Sequence, residues 1–177
     1  MRRLAAAPIL ALLVVCAASV AFAQNPSGGR DELLDHMTGT WNLEGVTLGQ
    51  QTHHTLTAEW VLDHHFLRLH EITSANAPAN EKHYEALWFL AYDDLSERYV
   101  AHLFDVFGAR FSETLGYGPR KGNSIFLTFE YPDGPFHTTY EWLPESGSWR
   151  WLLEQKDKDG KWTTFADFKL TRAPAPR

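Results

Sequence analysis

From Gly39 onward the chain alternates apolar and polar residues with a period of two, in short runs rich in Trp, Phe, Tyr, Thr and Leu. Such alternation is the signature of half-buried β-strands. Tyr84, Ala86, Trp88, Leu90 and Tyr92 fall on one side of one run, with His83, Glu85 and Leu87 on the other. Phe136, Thr138, Tyr140 and Trp142 oppose His137, Thr139 and Glu141, and Trp149, Trp151 and Leu153 oppose Arg150 and Glu154. In the last run Trp162, Ala166, Phe168 and Leu170 oppose Lys161, Thr163, Asp167 and Lys169. The pattern predicts ten strands, over 39–48, 52–62, 65–73, 82–92, 98–106, 109–116, 124–131, 135–143, 148–156 and 161–171.

Turn formers punctuate these runs. Asp93-Asp94-Leu95-Ser96, Pro132-Asp133-Gly134, Glu145-Ser146-Gly147 and Lys158-Asp159-Gly160 supply residues that accept tight or left-handed geometry. Only Ser74 to Glu81 makes a longer link. No link is long enough for a helical crossover, so the strands follow one another as an antiparallel meander. One wet and one buried face suit a single interior, and a meander this long avoids exposed edges by closing on itself. The expectation is an all-β, closed, up-and-down barrel over residues 31–172, with an open sandwich as the alternative. One short helix is expected over Asp31 to Met37, with acids in its first turn and Leu33 and Leu34 to pack.

The N-terminus changes the compartment. Arg2 and Arg3 precede a nearly unbroken apolar stretch over residues 4–20, and Ala21-Phe22-Ala23 follows with the small-x-small pattern of a signal-peptidase site. Residues 1–23 therefore read as a secretory signal cleaved after Ala23. That leaves Gln24 at the start of a Pro/Ser/Gly tether (24–30) and a periplasmic or secreted protein with no stable membrane anchor. Cys16, the only cysteine, departs with the signal. Val15 stands directly before it, where lipoprotein processing needs a small residue. The mature chain is thus expected to have no disulfide or thiolate-bound metal, and residues 173–177 to form a frayed tail. The formal net charge of −6 and the lack of any basic stripe exclude nucleic acid as a partner.

Gly39-Thr40-Trp41 opens the first strand directly after the helix. This G-x-W resembles the signature of the calycin superfamily, the lipocalins and fatty-acid-binding proteins. The resemblance implies that the tryptophan plugs one end of the barrel and that a basic residue from the last strand lies across it, a place matched by Arg172. The bacterial family named domain of unknown function 1579 resembles the chain more fully, from Leu33 to Arg172. Its pattern is carried by Gly39-x-Trp41, Trp60-Val61-Leu62, Phe66-Leu67, Tyr92-Asp93, Tyr99-Val100 and Leu170-Thr171-Arg172. Asp63-His64-His65 stands where that family has a Gly-Gly-Arg turn, and Ala91 where it often has glycine. This family brings no agreed activity.

The predicted inner wall carries Trp60, Leu69, Tyr84, Trp88, Phe129, Tyr140, Trp142, Trp151 and Phe168. These suit a pocket for a small apolar or amphipathic molecule, with Tyr84, Trp88, Tyr140, Trp142 and Trp151 as ligand contacts. A core filled with rings is the alternative, and the tyrosines, whose buried hydroxyls want partners, favour the pocket. Glu113 shares a face with Phe111 and Leu115, and Glu71 shares one with Leu67 and Leu69. An inward carboxylate is costly unless it has a task or a partner, so both are candidates, although Glu71 lies near the strand end at Ser74. His102 is a secondary candidate because the parity of its strand is open.

His53-His54 and His64-His65 are adjacent pairs whose members point to opposite faces of a strand, and they read as exposed turn histidines rather than metal ligands. No histidine in the last two strands offers itself to haem, and no cofactor is implied. Nucleophile and phosphate-loop motifs are absent from the sequence. The leading expectation is an exported small-molecule-binding protein. An enzyme with Glu113 as general acid or base in the same cavity is the first alternative. The second is a structural or interaction module with a filled core, pairing as a homodimer through an outer sheet face that bears Phe126, Leu152 and Phe165.

Overall fold

The computed structural model describes residues 31–174. The expected signal segment with Cys16, its cleavage site, the tether and the last three residues lie outside them. Eleven strands form one sheet: β1 Gly39–Thr47, β2 Gln50–Val61, β3 Phe66–Thr73, β4 Glu85–Asp93, β5 Arg98–Asp105, β6 Leu115–Gly118, β7 Arg120–Lys121, β8 Ser124–Tyr131, β9 Gly134–Leu143, β10 Ser148–Lys156 and β11 Trp162–Arg172. The hydrogen-bonded order is β6-β5-β4-β3-β2-β1-β11-β10-β9-β8-β7, and a further β6–β8 pairing closes the ring. Ten strands make up the closed antiparallel barrel, with β7 a two-residue annex on β8. Closure settles the choice between barrel and sandwich, and the architecture is consistent with a calycin-like fold.

The first helix, α1 (Glu32–Asp35), is short because it serves as a plug. The Asp31 side chain caps it, accepting from the Leu33 and Leu34 amides at 2.8 and 3.1 Å. Leu33, Leu34 and Met37 are buried against the barrel, and each buried aliphatic side chain contributes about 1.5–3 kcal/mol. Side chains from four strands then tie the plug down. Trp41 Nε1 donates to Met37 O at 2.7 Å, Trp60 Nε1 donates to Asp35 Oδ1 at 2.6 Å, and the Tyr99 hydroxyl donates to Asp31. The Arg172 guanidinium lies 3.9 Å over the Trp41 ring, donating from Nη2 to His36 O at 3.0 Å and from Nη1 to Thr38 O. Arg172 of β11 thus lies across the tryptophan of Gly39-Thr40-Trp41.

Two local expectations are corrected. The predicted strand over 109–116 divides into a helical turn, α2 (Ala109–Ser112), and the short β6. Gly108, at φ 77°, takes the chain out of the extended conformation, and Phe111 and Leu115 stand four apart, a spacing that serves a helix as well as a strand. In β11, a register shift opposite Leu153/Glu154 inserts one extra residue, since Leu153 pairs with Ala166 while Glu154 pairs with Thr164. This bulge turns Phe165 towards the interior, where it packs on the core and on Phe136. Trp162 correspondingly lies outside, its ring stacked at 3.6 Å on that of His137.

Aromatic rings fill the half of the barrel nearest α1. Trp41, Trp149, Trp151, Tyr99, Tyr140 and Phe129 are the largest fully buried side chains. Trp151 meets Trp88 edge-on at 5.4 Å and lies 4.9 Å from the Tyr140 ring.

Candidate functional site

The other half is open. A cavity of about 1020 Å³ begins where the rings end and reaches the hairpin between β1 and β2, so the barrel is plugged at one end and hollow at the other. Its volume stands at the upper end of the ~300–1,000 Å³ usual for small-molecule pockets. Trp88, Trp151, Leu103, Leu153 and Phe168 form the apolar floor, and Tyr84, Phe107, Phe111, Tyr131, Phe136 and Phe165 form the upper wall.

Polar groups cross this wall on one side. In the register of β2 to β5, Leu56, Glu71, Ala86 and Asp105 are successive partners, so Glu71 and Asp105 face inward on either side of the small Ala86. One step away, His54 is 8% exposed and its Nδ1 lies 2.6 Å from Glu71 Oε1, itself on a residue only 3% exposed. The contact is made through Nδ1, which leaves Nε2 as the second ring nitrogen, turned away from Glu71. That nitrogen looks towards Glu81, whose Oε1 is 3.6 Å away. Tyr84 stacks on the His54 ring at 5.4 Å with 17° between planes.

The long link between β3 and β4 is what delivers Glu81. Ser74 N donates to His53 O at 2.9 Å, which folds the link back along β2. Glu81 Oε1 then accepts from the His53 amide at 2.8 Å, and its Oε2 stands 3.0 Å from His53 Nδ1. Burial works to raise the Glu81 carboxyl, but the backbone and ring hydrogen bonds from His53, with the charges of His53 and His54, outweigh it and hold the group below the usual range. Asp105 goes the other way. Burial raises it, against the hydrogen bonds from the Phe107 amide, at 2.9 Å, and from Tyr84. Tyr84 and Tyr131 are both pushed up, mainly by burial and further by the charge of Asp105.

The sequence-predicted residues separate into four groups. Glu71, Tyr84, Trp88 and Trp151 line the cavity. Tyr140 is fully buried beneath Trp151 and does not reach it. Trp142 lies at the plugged end, stacked at 4.6 Å on His36 beside a small groove of about 230 Å³. Glu113 and His102 are outside. Glu113 is the exposed residue ending α2, so the inward parity expected for it disappears with the expected strand. His102 shares the outer face with Phe104, and its Nε2 is 2.6 Å from Ser112 O.

Sequence reasoning missed His54, Glu81, Asp105, Phe107 and Phe111. The signal for His54 was present in Thr52, His54, Leu56 and Ala58, whose alternation is the buried face of β2. His53 and His54 therefore lie mid-strand rather than in a turn, whereas Leu62, Asp63 and His64, all at positive φ, and His65 do form an exposed turn. Among the described residues no group of three or more His, Cys, Asp or Glu side chains is placed to hold a metal ion.

No family model matches the chain, and no curated protein matches it.

Proposed function

We propose that this protein is an exported binding protein that takes one small, partly apolar molecule into the open half of its barrel. The observation that carries the reading is the cavity of about 1020 Å³, floored by Trp88 and Trp151, in a barrel sealed by α1 at its other end. A wall largely of rings and aliphatics with few polar groups is the composition that encloses amphipathic ligands. Export rests on the Arg2-Arg3 n-region, the apolar stretch and Ala21-Phe22-Ala23. The likeness to the bacterial family named domain of unknown function 1579 rests on the ordered sequence motifs alone and adds no activity.

Native mass spectrometry of protein purified from its own periplasm or medium tests this reading. A retained small molecule, displaced by an apolar dye with a change in tryptophan emission, is the expected result. A mass equal to the bare chain together with dye-insensitive emission removes it.

A second reading, an acid–base enzyme, is favoured by the His54–Glu71 pair. An imidazole oriented by a carboxylate through one nitrogen, with the other facing a cavity, is the arrangement of a general base. Under it, His54→Gln abolishes turnover of a bound molecule while leaving its affinity in place. Under simple binding there is no turnover to lose.

A further inference from the structure

The charges inside the cavity are unbalanced. Glu71, Glu81 and Asp105 line it, and among the described residues His54 is the one histidine lining it with them. The lining lysines do not redress this. Lys82 is exposed, and Lys156 is exposed with its ammonium 5.4 Å from the outer Trp162 ring. The rim carboxylate Asp133 is matched by Arg110 at 3.6 Å. Glu71 and Glu81 are matched by His54 and His53. Asp105 stands apart, since its hydrogen-bond partners are the neutral Phe107 amide and Tyr84.

Four rings line the cavity with that carboxylate. Tyr84 meets Phe107 at 6.0 Å, Phe107 meets Phe111 edge-on at 6.4 Å, and Phe111 meets Tyr131 edge-on at 5.7 Å, so the four form an arch from the start of β4 to the end of β8, lining the same cavity as Asp105. Phe107 is 66% exposed although it lines the cavity, an apolar ring open to solvent despite its contacts with Tyr84 and Phe111. Aromatic rings and a carboxylate lining one cavity is the chemistry that recognises ammonium groups, through cation–π attraction and direct charge pairing.

We propose that Asp105, Tyr84, Phe107, Phe111 and Tyr131 form an ammonium subsite, and that the molecule bound in the barrel is an amphipathic amine. Its apolar body lies on Trp88 and Trp151, and its cationic head sits under the arch. Burial raises the Asp105 carboxyl, which is the cost of a charge held there without a cation, and a bound ammonium offsets it. The inference rests on the cavity reading above and adds the chemical class of the ligand.

The test compares three probes of equal chain length below their micelle concentrations, decyltrimethylammonium, decanoate and decan-1-ol, titrated by tryptophan emission. The expected order has the ammonium binding about tenfold or more tighter than the alcohol, with the carboxylate weakest. Asp105→Asn keeps an Oδ1 to accept from the Phe107 amide and should bring the ammonium down to about the affinity of the alcohol. Phe107→Ala, at a position too exposed to matter for folding, should weaken the ammonium several-fold and the alcohol less. Equal affinities for all three probes, or an ammonium preference that survives Asp105→Asn, overturn the subsite and leave the cavity reading intact. Failure of every probe to bind overturns both.

Discussion

The imidazole of His54 and the carboxylate of Glu71 meet at 2.6 Å across β2 and β3, on residues 8% and 3% exposed. Both side chains have little exposure, so each depends largely on the other. Removing one partner leaves the other buried and unmatched, at a cost of about 1–3 kcal/mol. Glu71→Gln and His54→Phe are each expected to lower the urea midpoint of unfolding by a stability loss in that range. The double variant should lose clearly less than the sum, because the two contacts are one contact. Strict additivity in the denaturation cycle would count against the pair.

Arg172 does three things at once, covering Trp41 and donating to the carbonyls of His36 and Thr38. Arg172→Lys keeps the charge and loses the planar fork, so it should recover only part of the roughly 1–3 kcal/mol lost in Arg172→Ala. Chemical denaturation of both variants separates ring coverage and hydrogen bonding from charge alone.

The lowered carboxyl of Glu81 sets a direction for acid sensitivity. A carboxyl held lower in the folded state than in the unfolded chain stabilises the fold above its unfolded value, about 4.3, and that stability drains away as pH falls through the folded value. The link over Ser74 to Tyr84 should therefore loosen from β2 on acidification. Glu81→Gln should flatten the acid limb of stability against pH and be least costly at the lowest pH. An acid limb of unchanged steepness would show that Glu81 does not contribute to it.

Glu113 ends α2 at the surface, so Glu113→Gln should leave stability within about 0.5 kcal/mol of the parent and leave probe binding unchanged. A loss of binding in this variant would show that Glu113 itself reaches the bound molecule.

Most of the barrel was legible because alternation is a property of single strands. Trp88, Tyr140, Trp151 and Phe168 needed only their own neighbours in sequence to be placed inside. Phe165 and Trp162 were exchanged because a bulge is defined by the partner strand, and nothing within β11 marks the extra residue. Glu113 failed for a related reason. Gly108 ends the extended run through a positive φ that glycine permits but does not require. The candidate site was less legible than the fold. Glu81 reaches His53 and His54 across 28 and 27 positions through a loop, and Asp105 acquires its meaning only from rings on other segments. Such convergence has no period for a sequence to display.

The barrel closes on very little. Where other neighbours pair over long runs, β6 and β8 pair only at Gly116 with Phe129 and Tyr117 with Thr128. The strands come close enough that a Cβ on Gly116 would fall within the Phe129 ring, and one on Gly118 would collide with the Phe126 carbonyl. Amides of β6 should accordingly exchange with solvent sooner than those of β10 and β11, and Gly118→Val should hasten that exchange further. A ring of strands has no ends until it parts, and parting at this seam would create two at once, along Leu115–Gly118 and Ser124–Tyr131. The glycines of β6 thus guard against self-association as well as completing a wall. What they hold shut is a pair of strand edges that, once parted, could pair with copies of this molecule.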